Sequence, residues 1–156
     1  MSNYRRALAF HLRIGDRPPR APQAPDADTL GLRLRLLQEE GREAQEALRA
    51  LAELAGAAGA AAPAEEAAAA HTAAEAAAAH ELADLLYVAY GTFVALGIDA
   101  DEVFAEVHEA NLRKAGAPRR ADGKQLRPDG WRPADVAGVL ARQRLEAGQG
   151  RAMDEL

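Results

Sequence analysis

The stretch LRLLQEEGREAQEALRALAEL, residues 34–54, decides the fold. Its leucines and alanines recur every three to four residues, the spacing of an amphipathic helix. On a wheel of about 100° per residue with Glu39 at zero, Leu36, Leu37, Ala44, Ala47, Leu48 and Leu51 define a buried face. Glu40 falls inside that face, Glu43 sits on its edge and Glu39 at its margin. An unpaired carboxylate on an apolar face costs several kcal/mol, so Glu40 requires a compensating charge.

HELADLLYVAYGTFVAL, residues 80–96, repeats the anomaly: Glu81 and Asp84 project i, i+3 from one side of a nearly all-apolar segment. An arginine counter-charge is absent locally, because residues 61–112 contain no Lys or Arg. A hard divalent cation, Mg²⁺ or alternatively Mn²⁺, is the better partner. Two acids from each of two antiparallel helices surround it with oxygen while leaving positions for water and phosphate. The expected metal ligands are therefore Glu40, Glu43, Glu81 and Asp84. A di-iron carboxylate bundle needs Glu-x-x-His pairs. The residues three before His11, His71, His80 and His108 are Leu8, Ala68, Ala77 and Ala105, so the histidines read as surface or packing residues.

Working outward, the spacing of Tyr4, Ala7, Phe10, His11 and Ile14 predicts a short N-terminal helix. Prolines between Gly15 and Pro25 stop it, and residues 15–28 read as an extended Pro-rich linker. The long helix starts near Asp28 or Thr29, both good N-caps, and runs to about Leu54, where Gly56 and Gly59 end it. Residues 55–80 are 17 Ala in 26, an elongated hairpin extension that is helical without being packed. Pro63 lies near the first turn of the second long helix, which ends at Leu96 before Gly97. Asp99 or Asp101 caps a third helix that extends to about Lys114. Residues 115–132 form a basic loop, and Pro133 opens a last helix to about Ala147. No strand pattern appears. The expected fold is all-α: one domain, residues 1–156, of helical hairpins that form a four-helix bundle completed by oligomerisation.

The oligomer follows from a thin core. Of roughly 76 apolar residues 40 are Ala, so only about 23% of the 156 positions carry a large apolar side chain. The second long helix is apolar almost all round, with Leu82, Leu86, Tyr90 and Phe93 on a side that diverges from Glu81 and Asp84. One chain has too few long helices to cover both sides, which points to a homodimer or higher homo-oligomer.

Charge is uneven. The net −5 resolves into an acidic −10 over residues 61–112 followed by +5 over residues 113–132. No uniformly basic face for nucleic acid exists, and the combination suits a metal ion on one side and phosphates on the other. The absence of cysteine excludes disulfide scaffolds and thiol chemistry. No apolar run reaches the roughly 18 residues of a membrane span, and no signal-peptide pattern opens the chain, so a cytoplasmic protein is expected. The third helix places Val103, Phe104 and Val107 on one face, extended by Asn111 and Lys114. The chain has 17 Arg and only two Lys, Lys114 and Lys124, both in the basic stretch. A compact ammonium beside an anion is a fitting use for each.

Taken together these residues resemble the MazG-like, all-α nucleoside triphosphate pyrophosphohydrolase superfamily. Its EExxE…ExxD signature appears as Glu39, Glu40, Glu43 and then Glu81, Asp84. EVHEANLRKAG, residues 106–116, carries the family-like Asn111 and Lys114. DGKQLRPDGWRPADV, residues 122–136, looks like the loop that follows in small bacterial members. The resemblance covers roughly residues 30–137, and one departure is the long Ala-rich gap between Glu43 and Glu81. It implies Mg²⁺-dependent hydrolysis of a nucleoside triphosphate to the monophosphate and pyrophosphate, with a lean towards dUTP or other pyrimidine nucleotides. Glu39 and Glu40 would act on the attacking water, with a second metal the alternative role for Glu39, and Asn111, Lys114 and Lys124 would bind substrate. Within the fold the rival is phosphoribosyl-ATP pyrophosphohydrolase; outside enzymes, the rival is a non-catalytic helical assembly module.

Overall fold

Alanine-rich, strand-poor sequence with Gly and Pro at its joints produces helices separated by short breaks, and a computed structural model shows five: α1 (Asn3–Arg13), α2 (Ala27–Gly56), α3 (Ala64–Ala95), α4 (Ala100–Leu112) and α5 (Val136–Asp154). The structure describes residues 1–56 and 63–154, with side chains as far as residue 149. The all-α expectation holds. An isolated antiparallel bridge between Arg119 and Gln125 occurs within the basic loop. The expected hairpin tip at residues 57–62, Gly59 included, lies outside the described residues.

The caps explain the boundaries. Ser2 accepts the amide of Arg5 at the start of α1, and Asp99 accepts that of Asp101 at the start of α4. At α2 the cap is Asp26 rather than Asp28 or Thr29. Its carboxylate accepts from the Thr29 amide at 2.8 Å and from the Thr29 hydroxyl at 3.0 Å, which holds its pKa below the usual carboxylate value. Similarly, α5 starts at Val136 rather than Pro133, because Asp135 accepts the Gly138 amide at 2.9 Å.

Two compact units are distinguished, residues 25–92 and residues 1–24 with 93–156. In the first, α2 and α3 carry facing carboxylates. Glu43 lies 13 residues before Gly56 and Glu81 lies 17 after Ala64, so both stand about 20–26 Å along their helices from the connection. Helices that meet again at comparable distances from a short connection run antiparallel. Ala44 and Ala78 are buried here, whereas Leu30, Leu34, Leu48, Leu82, Leu86 and Tyr87 are exposed. The wheel puts Leu48 on the buried face, yet among the described residues nothing covers it enough to remove it from solvent.

In the second unit, Tyr4, Ala7, Val94, Ala100, Val103, Ala110 and Val139 form the core, and α4 packs on α5. Ser2 Oγ donates to Asp101 at 2.5 Å and Arg5 pairs with Asp99 at 3.0 Å, tying α1 to the start of α4. Burial, then the negative charge of Asp99, pushes the Tyr4 phenol up. The Pro-rich stretch is extended, yet it is docked rather than a free arm. Pro22 is buried, the Gln23 amide donates to the Leu96 carbonyl at 3.0 Å, and Arg144 Nε donates to the Pro22 carbonyl at 3.1 Å. Gly97, at φ +64°, makes this docking feasible, because a Cβ there would meet the Ala21 carbonyl and stand 2.9 Å from Pro19.

Candidate metal centre and basic loop

Helical periodicity in α2 places Glu40 and Glu43 one turn apart, and α3 brings Glu81 to them. One carboxylate oxygen from each of these three residues lies within 4.8 Å of the other two. All three side chains are half-buried, and Glu39, further round the helix, is exposed. Burial, reinforced by Glu43, Asp84, Glu39 and Glu81, raises the Glu40 pKa. The charged neighbours that act on Glu40 are all acids, so they add to its charge rather than balance it. A set of three carboxylate oxygens at this spacing, one of them destabilised when ionised, fits a hard divalent cation.

Asp84, one turn beyond Glu81, stands outside the three-oxygen group. Its carboxylate lies 3.3 Å from His80 Nε2 and adds to the negative field on Glu40. Arg42 is the cation that sequence reasoning missed. It lies 2.7 Å from Glu43 and bonds both Glu46 oxygens at 3.0 Å, and these acids raise its own pKa. The signal was present as an i, i+4 Arg–Glu pair, but an arginine adjacent in sequence to Glu43 points about 100° away from it on an ideal wheel.

In the other unit, the C-terminal end of α4 brings Asn111 and Lys114 together, with Lys114 Nζ donating to Asn111 Oδ1 at 2.6 Å. Lys124 lies in the exposed turn of the basic loop, where its amide donates to Asp122, which Arg120 also grips.

The profile of the phosphoribosyl-ATP pyrophosphohydrolase family matches residues 7–111, two thirds of the chain. The chain belongs to this family. No curated protein matches it. Membership places it in the MazG-like all-α superfamily and makes it a pyrophosphohydrolase, a hydrolase acting on phosphoanhydride bonds. The non-catalytic assembly module is thereby set aside. The matched span of this pyrophosphohydrolase contains every member of the acidic cluster and ends at Asn111, so Lys114, Lys124 and the basic loop lie beyond it. Among the described residues no single helix is long and apolar enough to cross a membrane.

Sequence reasoning also missed the centre of the basic loop. Trp131 donates its indole N–H to the Ala110 carbonyl at 2.8 Å; Lys114 Nζ stands 5.1 Å from its ring centroid and the Arg127 guanidinium 4.6 Å. The available signal was the chain's single tryptophan inside its most basic stretch.

Proposed function

We propose that the chain is a Mg²⁺-dependent nucleoside triphosphate pyrophosphohydrolase, converting NTP or dNTP and water to the monophosphate and pyrophosphate. The observation that carries this reading is the meeting of Glu40, Glu43 and Glu81, where the charged neighbours that act on Glu40 are all acids. A bound Mg²⁺ or Mn²⁺ supplies Lewis acidity towards phosphate oxygens and lowers the pKa of water. Glu40, Glu43 and Glu81 hold that ion, with Asp84 extending the acidic set. Glu39, exposed beside them, and Glu40 orient the attacking water and accept its proton at a carboxylate oxygen. The Asn111 amide and the Lys114 and Lys124 ammonium groups bind phosphate oxygens of the substrate and stabilise charge on the leaving pyrophosphate.

The preferred substrates are dUTP or non-standard pyrimidine nucleotides, a house-cleaning role in the cytoplasm. A second reading, hydrolysis of phosphoribosyl-ATP, is favoured by the family match itself and uses the same metal chemistry. A pyrophosphate-release screen over standard, deoxyuridine and damaged nucleotides together with phosphoribosyl-ATP decides between them. Release from phosphoribosyl-ATP alone selects the second reading, and free phosphate plus a nucleoside diphosphate rejects both.

The working form is a homodimer or higher homo-oligomer. Leu82 and Leu86 are 41% and 55% exposed on α3, and Leu34 is 57% exposed on α2, so the hairpin leaves apolar surface that a second copy would bury. Pairing two such hairpins makes the four-helix bundle that one α2–α3 pair lacks.

A further inference from the structure

The arginines with carboxylate partners are spread over the chain: Arg5 with Asp99, Arg42 with Glu43 and Glu46, Arg113 with Glu106, Arg120 with Asp122 and Arg142 with Glu102. Lys114 and Arg127 differ. Among the described residues neither lies within 4.0 Å of a carboxylate; Lys114 bonds the neutral amide of Asn111, and both cations stand over the ring of Trp131. Their distances to one ring centroid put the two charges no more than about 10 Å apart.

The ring itself is fixed. Its N–H is tied to the Ala110 carbonyl at the end of α4. Gln125 Nε2 donates to the carbonyls of Lys114 and Ala117, and the Leu126 amide donates to the Pro118 carbonyl, closing the loop back on itself just before Arg127. Two like charges brought together by a loop of this kind repel one another, and an indole face offsets only part of that. A polyanion offsets the remainder.

Trp131 also borders a cleft of about 570 Å³ with Arg113 and Arg132. That cleft carries its own acids: Glu106 lies 3.9 Å from Arg113 and accepts the Asp135 amide at 3.0 Å, and Asp129 and Asp135 line the same wall. Three acids face two arginines there, so the cleft has no positive charge left over. The excess positive charge is on the Lys114–Arg127 pair.

We propose that Lys114 and Arg127, held over Trp131, form a subsite for the polyphosphate part of the substrate, with Arg127 a phosphate-binding residue and Trp131 the residue that positions both cations. The inference rests on the reading of the chain as a hydrolase of nucleoside triphosphates, and it adds residues that lie beyond the family match at residue 111. Guanidinium and ammonium complement each other here. The planar fork of Arg127 binds two oxygens of one phosphate, and Lys114 acts as a point charge on the next.

The test titrates the full chain with inorganic tripolyphosphate in the presence of a chelator, so that the acidic cluster contributes no metal-mediated binding. Calorimetry reads affinity, and the fluorescence of the only tryptophan reports on the ring. Saturable binding with a change in Trp131 emission is expected, weakened about tenfold or more in Arg127→Gln, as loss of a charge-assisted hydrogen bond predicts. Arg127→Lys should bind more tightly than Arg127→Gln but more weakly than the unmodified chain, because it keeps the charge and loses the bidentate fork. Arg49→Gln, an exposed arginine on α2 bonded to Gln45, should bind as the unmodified chain does. Trp131→Leu should weaken binding as much as Arg127→Gln and raise KM for nucleotide more than it lowers kcat. If Trp131→Leu fails to fold, the exposed Arg127 decides alone. Unchanged affinity in Arg127→Gln, or no binding by the unmodified chain, overturns the proposal. Pyrophosphate release from nucleoside triphosphates alongside that result leaves the proposed function standing. Arg127-dependent binding of tripolyphosphate with no release from any nucleoside triphosphate overturns the function and keeps the subsite.

Discussion

Glu40 of α2 and Glu81 of α3, 41 residues apart in sequence, bring carboxylate oxygens within 4.8 Å of each other. The repulsion is visible in Glu40, whose pKa lies above its ordinary value through burial and the four neighbouring acids.

For the metal-free chain this fixes the sign of a pH dependence. A carboxyl whose folded pKa exceeds its unfolded value of 4.5 contributes stability below that value, lost as pH rises through the folded pKa. Glu40→Gln should therefore raise the melting temperature in chelator at pH 7 and have little effect below pH 4.5. Thermal melts across that window check it, and an identical pH slope in both proteins would count against it. At neutral pH a divalent cation at 100 times its Kd should stabilise the chain by about 2.7 kcal/mol, and the same cation concentration should stabilise Glu40→Gln less.

Turnover should disappear with chelator and return with Mg²⁺ or Mn²⁺. Replacing Glu40, Glu43 or Glu81 with Gln should each lower kcat/KM by roughly 100-fold, the scale of losing a group that organises transition-state charge. Asp84→Asn should cost less, about tenfold, because its carboxylate lies against His80 outside the three-oxygen group. A Glu43 variant with most of its activity would remove that residue from the site.

Gly97→Ala should be strongly destabilising without touching the acidic cluster. A left-handed Ala costs about 1–2 kcal/mol, and its Cβ would collide with the Ala21 carbonyl and Pro19, for a total of about 2–4 kcal/mol. Denaturant unfolding measures this. A loss under about 1 kcal/mol would show that the Pro-rich stretch yields easily.

Light scattering in dilute solution should give a mass of at least twice 16.5 kDa if a second copy buries the apolar surface that Leu34, Leu82 and Leu86 expose. Replacing Leu86 with Glu should shift the mass towards one chain. A stable, active species of 16.5 kDa would show that these leucines face water in the working enzyme.

Local chemistry was enough to place α1 to α4, whereas α5 runs from Val136 to Asp154 against an expected Pro133 to Ala147. Glycine and proline end or open them for steric reasons that act within a few residues, so α3 and α4 begin and end within two residues or so of their sequence-derived limits. The wheel likewise separated Glu40 and Glu43 from the exposed Glu39, because side-chain direction follows directly from helical geometry. Which of several adjacent acceptors caps a helix was less legible: Asp26, Asp28 and Thr29 all suit the role, and only the hydrogen bonds from Thr29 select Asp26.

Tertiary structure decided the rest, because those features depend on which distant residues approach. Periodicity gave Leu48 a direction but no neighbour to cover it, and placed Asp84 on the acidic side without showing that His80 draws its carboxylate. The prolines of residues 15–28 dictate an extended chain, and only the approach of Gly97, Leu96 and Arg144 turns it into a docked one. Lys114 and Arg127 read as two charges 13 positions apart until Trp131 gathers them over one ring. Short-range sterics and periodicity are written into the chain, whereas the partner of a long polar side chain is chosen by packing.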